Sequence, residues 1–178
     1  MGNEIRHQVM PTYSQAGQDK WILSLFPEGY KGFFMDIGCN DPKFCNNTLL
    51  LEEHGWTGIA VDIVDYSKEW EERKTKFIHN NALNVAYKFI VPPIVDYLSL
   101  DVDDLFANYE MLYLFITHIR LRFKAITIEH NLYQGKANER ERKFQRMLLV
   151  KKGYKLMYPD VEHGGNKFED WWINPKYI

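Results

Sequence analysis

The most constraining feature of the chain is residues 33–62, where two apolar runs flank an amphipathic segment. The first run ends in Asp36-Ile37-Gly38 and the second ends in Asp62. This order predicts a strand, a turn, a helix and a second strand, which is half of a nucleotide-binding sheet. A glycine without a Cβ lets backbone N–H groups approach a ligand, and an acid at the end of the second strand can accept both hydroxyls of a ribose. We therefore interpret Gly38 and Asp62 as a nucleoside-binding pair.

The turn after the first strand differs from a dinucleotide-binding turn. Gly38 is followed by residues 39–42, CNDP, with no second glycine nearby. This argues against a cradle for a pyrophosphate, and so against a nicotinamide-dependent oxidoreductase. A turn that carries carboxylates and amides suits a cationic ligand without phosphate. S-adenosylmethionine, which has a sulfonium and an ammonium group, is such a ligand, and we predict it as the cofactor.

Length and charge narrow the function further. The 178 residues predict one domain over residues 1–178, with a polar lead-in at 1–13. The net charge of −2 gives no basic face, so nucleic acid is not the expected partner. The N-terminus has no long apolar stretch, which predicts a cytoplasmic protein with neither signal peptide nor membrane association. Cys39 and Cys45 are expected to be reduced and structural.

Hydrophobic periodicity predicts strands and helices in alternation along the chain. A helix over 19–26 should cover an edge of the sheet. The predicted strands are 33–37, 58–63, 76–79, 95–100, 124–129, 154–158 and 168–173, and the other predicted helices are 46–54, 66–73, 104–118 and 137–152. Alternation of this kind predicts an α/β, Rossmann-like fold with a mostly parallel seven-stranded sheet and helices on both faces.

Two segments depart from simple alternation. Pro92-Pro93 excludes a long helix in the connection from Leu83 to Ile94. Residues 135–147 form the most charged run, which indicates a solvated helix face, with a substrate-contacting lid as the alternative.

Polar residues follow the predicted strands at their carboxyl ends, where ligands of open parallel sheets bind. Asp101 lies on one strand face with Tyr97 and Ser99, and we expect it to point at the reacting end of a cofactor. Transfer of a methyl group requires an aligned nucleophile and a base that takes its proton. The polar residues at these ends are Asp36, Asp62, Asn81, Asp101, Glu129 and His130.

The residue types leave alternatives open at this rim. Asp101, Glu129 and His130 are the candidate bases, although a lone histidine is more often structural and Asp62 and Asp101 could instead cap helices. Asp101, Asp103, Glu129 and His130 also have the atom types of a divalent-metal site. Nothing in their spacing defines a metal geometry, so we predict none.

The motifs described above resemble those of the FkbM-type methyltransferases. The first match runs from Asp36 to Asp41 and resembles the D-I-G-A-N-D-G motif of that family. Matches continue in family order over roughly residues 14–175, at 14–19, 47–48, 51–52, 55–58, 81–83, 96–103, 126–130 and 168–172.

The FkbM resemblance implies S-adenosylmethionine-dependent O-methylation of a small-molecule or sugar hydroxyl. It also implies that cofactor contacts come from Gln18, Asp36, Gly38, Asn40, Asp62, Asn81 and Ala82. A partner subunit in a homo-oligomer could complete the pocket.

One residue departs from the family pattern, and one aromatic cluster is a further candidate for substrate contact. Pro42 stands where the family usually has glycine, so the turn cannot have a positive φ at that position. Together with a missing insert between the third and fourth strands, this gives a second hypothesis, an accessory module that binds the nucleoside without transferring a methyl group. Trp171 and Trp172, with Tyr158 and Tyr177, could form an aromatic wall for a substrate, although burial in the core is the simpler account.

Overall fold

A single seven-stranded sheet organises the protein in the computed structural model, which describes residues 12–178. The strands are β1 (Phe33–Ile37), β2 (Thr57–Asp62), β3 (Lys76–His79), β4 (Ile94–Leu100), β5 (Arg122–Glu129), β6 (Lys155–His163) and β7 (Asn166–Ile173). The helices are α1 (Gln18–Ser24), α2 (Leu49–Glu53), α3 (Ala107–Tyr113) and α4 (Lys136–Lys151). The predicted lead-in lies outside the described residues except for Thr12 and Tyr13.

The strand order is β3-β2-β1-β4-β5-β7-β6. Strands β1 to β5 pair in parallel, whereas β7 runs antiparallel to both β5 and β6. The sheet is therefore mixed, with one antiparallel hairpin, and the prediction of a mostly parallel sheet holds for its first five strands. Because β7 reverses direction, its first residues reach the rim where β5 ends, and Glu169 pairs with Glu129 there.

Helices cover both faces of the sheet, as predicted. On one face, α3 and α4 pack their apolar residues on the strands, for example Phe115 in the turn after α3 and Leu149 in α4. On the other face, Trp21 and Ile22 of α1 pack with Phe34 of β1 and with Trp171 of β7. The expectation that the first helix covers a sheet edge is wrong, because its apolar side chains reach the central strand β1.

Several helix boundaries differ from those that the hydrophobic periodicity predicts. Helix α2 begins at Leu49 rather than at 46, because the Asn46 side chain accepts the N–H groups of Thr48 and Leu49. The helix predicted at 66–73 is one 3₁₀ turn, Glu69–Glu72. The helix predicted at 104–118 begins at Ala107 and continues as a π-helical turn over Leu114–Ile119.

The charged helix α4 lies within one residue of its predicted range, and most of its charged run is exposed, as predicted, but its other side is buried. Glu141 is buried and accepts the N–H groups of Phe106 and Tyr109, so it holds the start of α3 against α4. Gln145 is buried as well and donates to the Glu129 carbonyl. One side of this helix is therefore a polar packing surface.

The tandem tryptophans are both part of the core. Trp172 is fully buried, and Trp171 stacks on Trp21 at a ring distance of 4.8 Å. Neither lines the main cavity, so the simple account of burial is correct. Cys39 and Cys45 are free thiols, and within residues 12–178 no helix is long and apolar enough to cross a membrane.

Candidate active site

The carboxyl ends of β1, β2 and β4 open onto one cavity of about 520 Å³. Most of the residues that the sequence predicted as ligand contacts line this cavity. They are Gln18, Asp36, Gly38, Asn40, Asp62, Asn81, Ala82 and Asp101. Glu129 and His130 are not among the lining residues, although both also lie at the carboxyl end of a predicted strand.

Gly38 is required by the close approach of two chain segments. Its φ is +77°, and a Cβ at this position would lie 1.7 Å from the carbonyl oxygen of Asp101. The same segments are joined by a hydrogen bond of 2.9 Å from Asp101 N to Ile37 O. The glycine therefore lets the exit of β4 pass directly over the exit of β1, which brings Asp101 into the cavity.

The turn after Gly38 accommodates the proline. Positive φ angles occur at Asn40 and Cys45, at 49° and 50°, and not at Pro42. The Pro42 carbonyl accepts a hydrogen bond of 2.6 Å from the buried Arg73 guanidinium. Pro42 does not line the cavity, so the departure from the FkbM pattern leaves the pocket open and removes one reason for the accessory-module hypothesis.

Asp62 connects the turns that follow β1 and β2. Its carboxylate accepts the N–H of Asn40 at 2.9 Å and the N–H of Val64 at 2.8 Å, one on each oxygen. Each oxygen has a further lone pair, and the side chain lines the cavity. Asp62 therefore holds local structure and still offers two acceptors to a ligand.

Asp36 forms the floor of the cavity. It is buried and accepts a hydrogen bond of 2.8 Å from Thr48 Oγ1. Burial raises the pKa of Asp36 to about 6, and the hydrogen bond from Thr48 opposes that rise. Beside it, Asn47 donates to Ser99 Oγ at 3.0 Å, and both also line the cavity.

Glu169 is a site residue that the sequence analysis missed, because it does not lie at the carboxyl end of a predicted strand. It is 3% exposed, lines the cavity, and accepts hydrogen bonds from the Gln18 amide, at 3.0 Å, and from the Trp171 indole. Burial raises the pKa of Glu169 to about 8, and the charge of Asp101 contributes. The available signal was two adjacent acids, Glu169 and Asp170, inside the otherwise apolar segment 168–173.

Asp101 and Glu129 act as a pair. Their carboxyl groups are within hydrogen-bonding reach of each other, and burial together with that contact raises the pKa of Asp101 well above its usual range. Burial also raises the pKa of Glu129. Oxygens of Asp101, Asp103 and Glu129 lie within 4.8 Å of one another. Asp101 and Glu129 are close enough to share a proton.

His130 belongs to a different part of the protein. Its Nδ1 accepts the N–H of Leu132 at 3.2 Å, and its Nε2 lies 3.6 Å from oxygens of Asp160 and Asp170. Arg146 pairs with both of these aspartates. The geometry does not support His130 as the base or as a member of a metal site with Asp101, because its ring points into this ion-pair network.

The cavity has a single sign of charge. Among the described residues, no lysine, arginine or histidine lines it. Such a surface attracts cations and repels phosphates. The acidic side chains that line it are Asp36, Asp41, Asp62, Asp101, Asp103, Asp104 and Glu169.

Solved structures show the same architecture. The METTL16 MTase domain matches with a TM-score of 0.65 at 16% identity, over 93% of this chain and 70% of that one. A protein from Klebsiella pneumoniae named as a candidate O-methyltransferase matches with a TM-score of 0.65 at 12% identity, over 95% and 82% of the two chains. Magnesium protoporphyrin IX methyltransferase from Synechocystis PCC 6803, solved with bound S-adenosylmethionine, matches at 0.60 and 14%, over 87% and 75%.

The chain has the class I methyltransferase fold. At these identities the likeness is one of fold. No family model and no curated protein matches the sequence, so the FkbM resemblance stays a prediction.

Proposed function

We propose that this protein is an S-adenosylmethionine-dependent methyltransferase. The observation that carries the proposal is the acidic cavity, which has no basic lining residue in the part of the chain that the structure describes. A sulfonium cofactor is the cationic, phosphate-free ligand that such a cavity favours. The bound S-adenosylmethionine in the Synechocystis neighbour supports the same cofactor on this fold.

The lining residues fit the parts of this cofactor. Asp62 would accept the ribose hydroxyls, and Asn81 with Ala82 would lie along the adenine edge. Gln18, Asp36 and Asn40 would contact the remainder, at the turn that Gly38 makes possible. When bound, the cofactor supplies an electrophilic methyl group, and the protein has to orient the acceptor, exclude water and remove a proton.

We further propose, from the FkbM resemblance, that the acceptor is a hydroxyl of a small molecule or sugar. A hydroxyl needs a base, and Asp101 with its partner Glu129 is the candidate at the cavity. The acidic lining makes a phosphate-bearing acceptor, including nucleic acid, unfavourable. A cytoplasmic location and a homo-oligomer remain predictions.

The proposal is tested by calorimetric titration with S-adenosylmethionine and S-adenosylhomocysteine, with NAD as the control. Micromolar binding of the first two ligands and none of NAD is expected. Binding without methyl transfer to a broad panel of hydroxyl acceptors would favour the accessory-module hypothesis. Binding of NAD alone would contradict the cofactor assignment.

Asp62→Ala is expected to weaken S-adenosylmethionine binding by about 10- to 100-fold, since hydrogen bonds to a charged group contribute about 1.5–3 kcal/mol. The measurement is the dissociation constant by calorimetry. Asp65→Ala is the matched control, because Asp65 is an exposed acid near Asp62 that accepts from Ser67 N and does not line the cavity. Equal affinity in the two variants would remove Asp62 from the ribose site.

A further inference from the structure

Two carboxyl groups that line the cavity, those of Asp101 and Glu169, adjoin Glu129, which does not line it, and none of the three has a basic ion-pair partner within residues 12–178. Glu129 and Glu169 are 9% and 3% exposed, and Asp101 lies partly buried between the cavity and Glu129. We call Asp101, Glu129 and Glu169 the carboxyl triad. A buried charge normally has an ion-pair partner, so the composition of the triad requires an explanation.

The groups that face the triad from neighbouring elements are also acidic. Asp36 of β1, Asp62 of β2 and Asp103 after β4 act on Asp101, and Tyr97 of β4 lies beside Glu169. Among the described residues, the nearby basic groups have other partners. Arg73 pairs with Glu52, Arg146 with Asp160 and Asp170, and His130 lies against the same two aspartates.

Because no basic side chain of the described residues pairs with the triad, protons are the charge that can neutralise it. Burial is the first cause that raises the pKa of each member, and repulsion among the three adds to it. The pKa of Glu169 reaches about 8. At neutral pH the ligand-free triad therefore holds protons that separate carboxylic acids in water would have lost.

We propose that the carboxyl triad is a proton store that empties when the sulfonium cofactor binds, so that the base becomes available only with the methyl donor in place. This inference rests on the proposed function. A cation beside a protonated acid favours the ionised form, and the proton leaves to solvent. Glu169 acts through Asp101 and is a positioning residue.

After the proton has been released, Asp101 is a carboxylate that faces the acceptor. During transfer the acceptor oxygen forms a bond to the methyl carbon while the carbon–sulfur bond breaks and its electron pair stays on sulfur. The hydroxyl proton passes to the Asp101 carboxylate. The sulfur product is neutral, so the triad regains its proton as the positive charge disappears, and charge is balanced at each stage.

The test is proton release, which requires no acceptor. The protein is titrated by calorimetry at pH 7 in buffers of different ionisation enthalpy, with S-adenosylmethionine and with S-adenosylhomocysteine. The two ligands share every ionisable group and differ in the sulfonium charge. Release of roughly one proton with S-adenosylmethionine and much less with S-adenosylhomocysteine is expected. The ratio of the affinity for S-adenosylmethionine to that for S-adenosylhomocysteine should therefore rise by up to about tenfold per pH unit between pH 6 and 8.

Glu169→Gln is expected to reduce the number of protons released by roughly half, because one of the coupled carboxyl groups that hold protons is lost. The amide keeps an acceptor oxygen for Gln18 and Trp171. Glu162→Gln is the matched control, an exposed glutamate on the same hairpin, and should release as many protons as wild type.

Infrared difference spectra of the wild-type protein give a measurement that depends on no variant. The carbonyl band of protonated carboxyl groups should weaken on addition of S-adenosylmethionine and persist with S-adenosylhomocysteine. Equal proton release by both ligands, or an unchanged carbonyl band, overturns the proton-store inference while leaving the proposed function intact. Absence of binding by both ligands overturns the two together.

Discussion

Gly38→Ala is expected to lower the free energy of unfolding by about 2–5 kcal/mol and to abolish S-adenosylmethionine binding. The positive φ costs about 1–2 kcal/mol for a residue with a Cβ, and forced overpacking adds about 1–3 kcal/mol. The contact at 1.7 Å is with backbone, the Asp101 carbonyl oxygen, so no side-chain rotation relieves it. Urea unfolding and calorimetry measure the two effects.

The matched control for Gly38→Ala is Gly164→Ala, in the turn between β6 and β7. Gly164 also has a positive φ, +58°, but nothing lies within 4 Å of an added Cβ. This variant should lose only about 1–2 kcal/mol of stability, from the backbone conformation alone. Similar losses in the two variants would show that the approach of β1 and β4 is not what requires a glycine at position 38.

Arg146→Gln is expected to lower the free energy of unfolding by about 3 kcal/mol at pH 7, because it leaves a buried carboxylate without its ion-pair partner. Arg146 holds the fully buried Asp170 in a bidentate pair, with Nε–Oδ2 and Nη2–Oδ1 distances of 2.7 Å. It also joins Asp170 to Asp160 of β6. Denaturant unfolding measures the loss.

The effect of Arg146→Gln should depend on pH in a defined direction. Despite burial, the hydrogen bonds from Arg146 and the nearby His130 ring lower the pKa of Asp170 to about 2 in the folded protein, below about 3.9 for a free aspartate. The pair therefore stabilises the fold fully above about pH 4, and its contribution is lost as the pH falls toward 2. The difference between wild type and variant should narrow over that range.

Arg140→Gln is the control for charge removal on the same helix. Arg140 is exposed and makes no ion pair among the described residues, so its loss should change stability by less than about 0.5 kcal/mol. Equal effects at positions 140 and 146 would mean that the charge of α4, and not the pair with Asp170, matters for stability.

The central strands were readable from sequence because they are buried on both faces. Phe33–Ile37 has the predicted bounds, and the other central parallel strands differ by one or two residues at an end. The edge strand Lys76–His79 also has its predicted bounds, although it is only partly buried. Continuous apolar runs of this kind have few other possible structures in a chain of this size.

Helix starts were less readable because contacts with distant residues determine them. Periodicity extends α3 back to residue 104, yet Phe106 has a φ of +66° and its N–H is accepted by Glu141, 35 residues away. Such a contact exists only after α3 and α4 have packed together. Local pattern carries no information about it.

Some residues of the site could likewise be predicted from the sequence, and others could not. The sequence by itself determined the turn at Gly38 and the cavity positions of Asp62 and Asp101, because parallel strands bring their carboxyl ends to one rim. Only the tertiary structure brought Glu169 to that rim and turned His130 away from it. The physical reason is the reversed direction of β7, whose pairing with β5 places Glu169 opposite Glu129, while the Asp160–Asp170–Arg146 network accommodates the histidine ring.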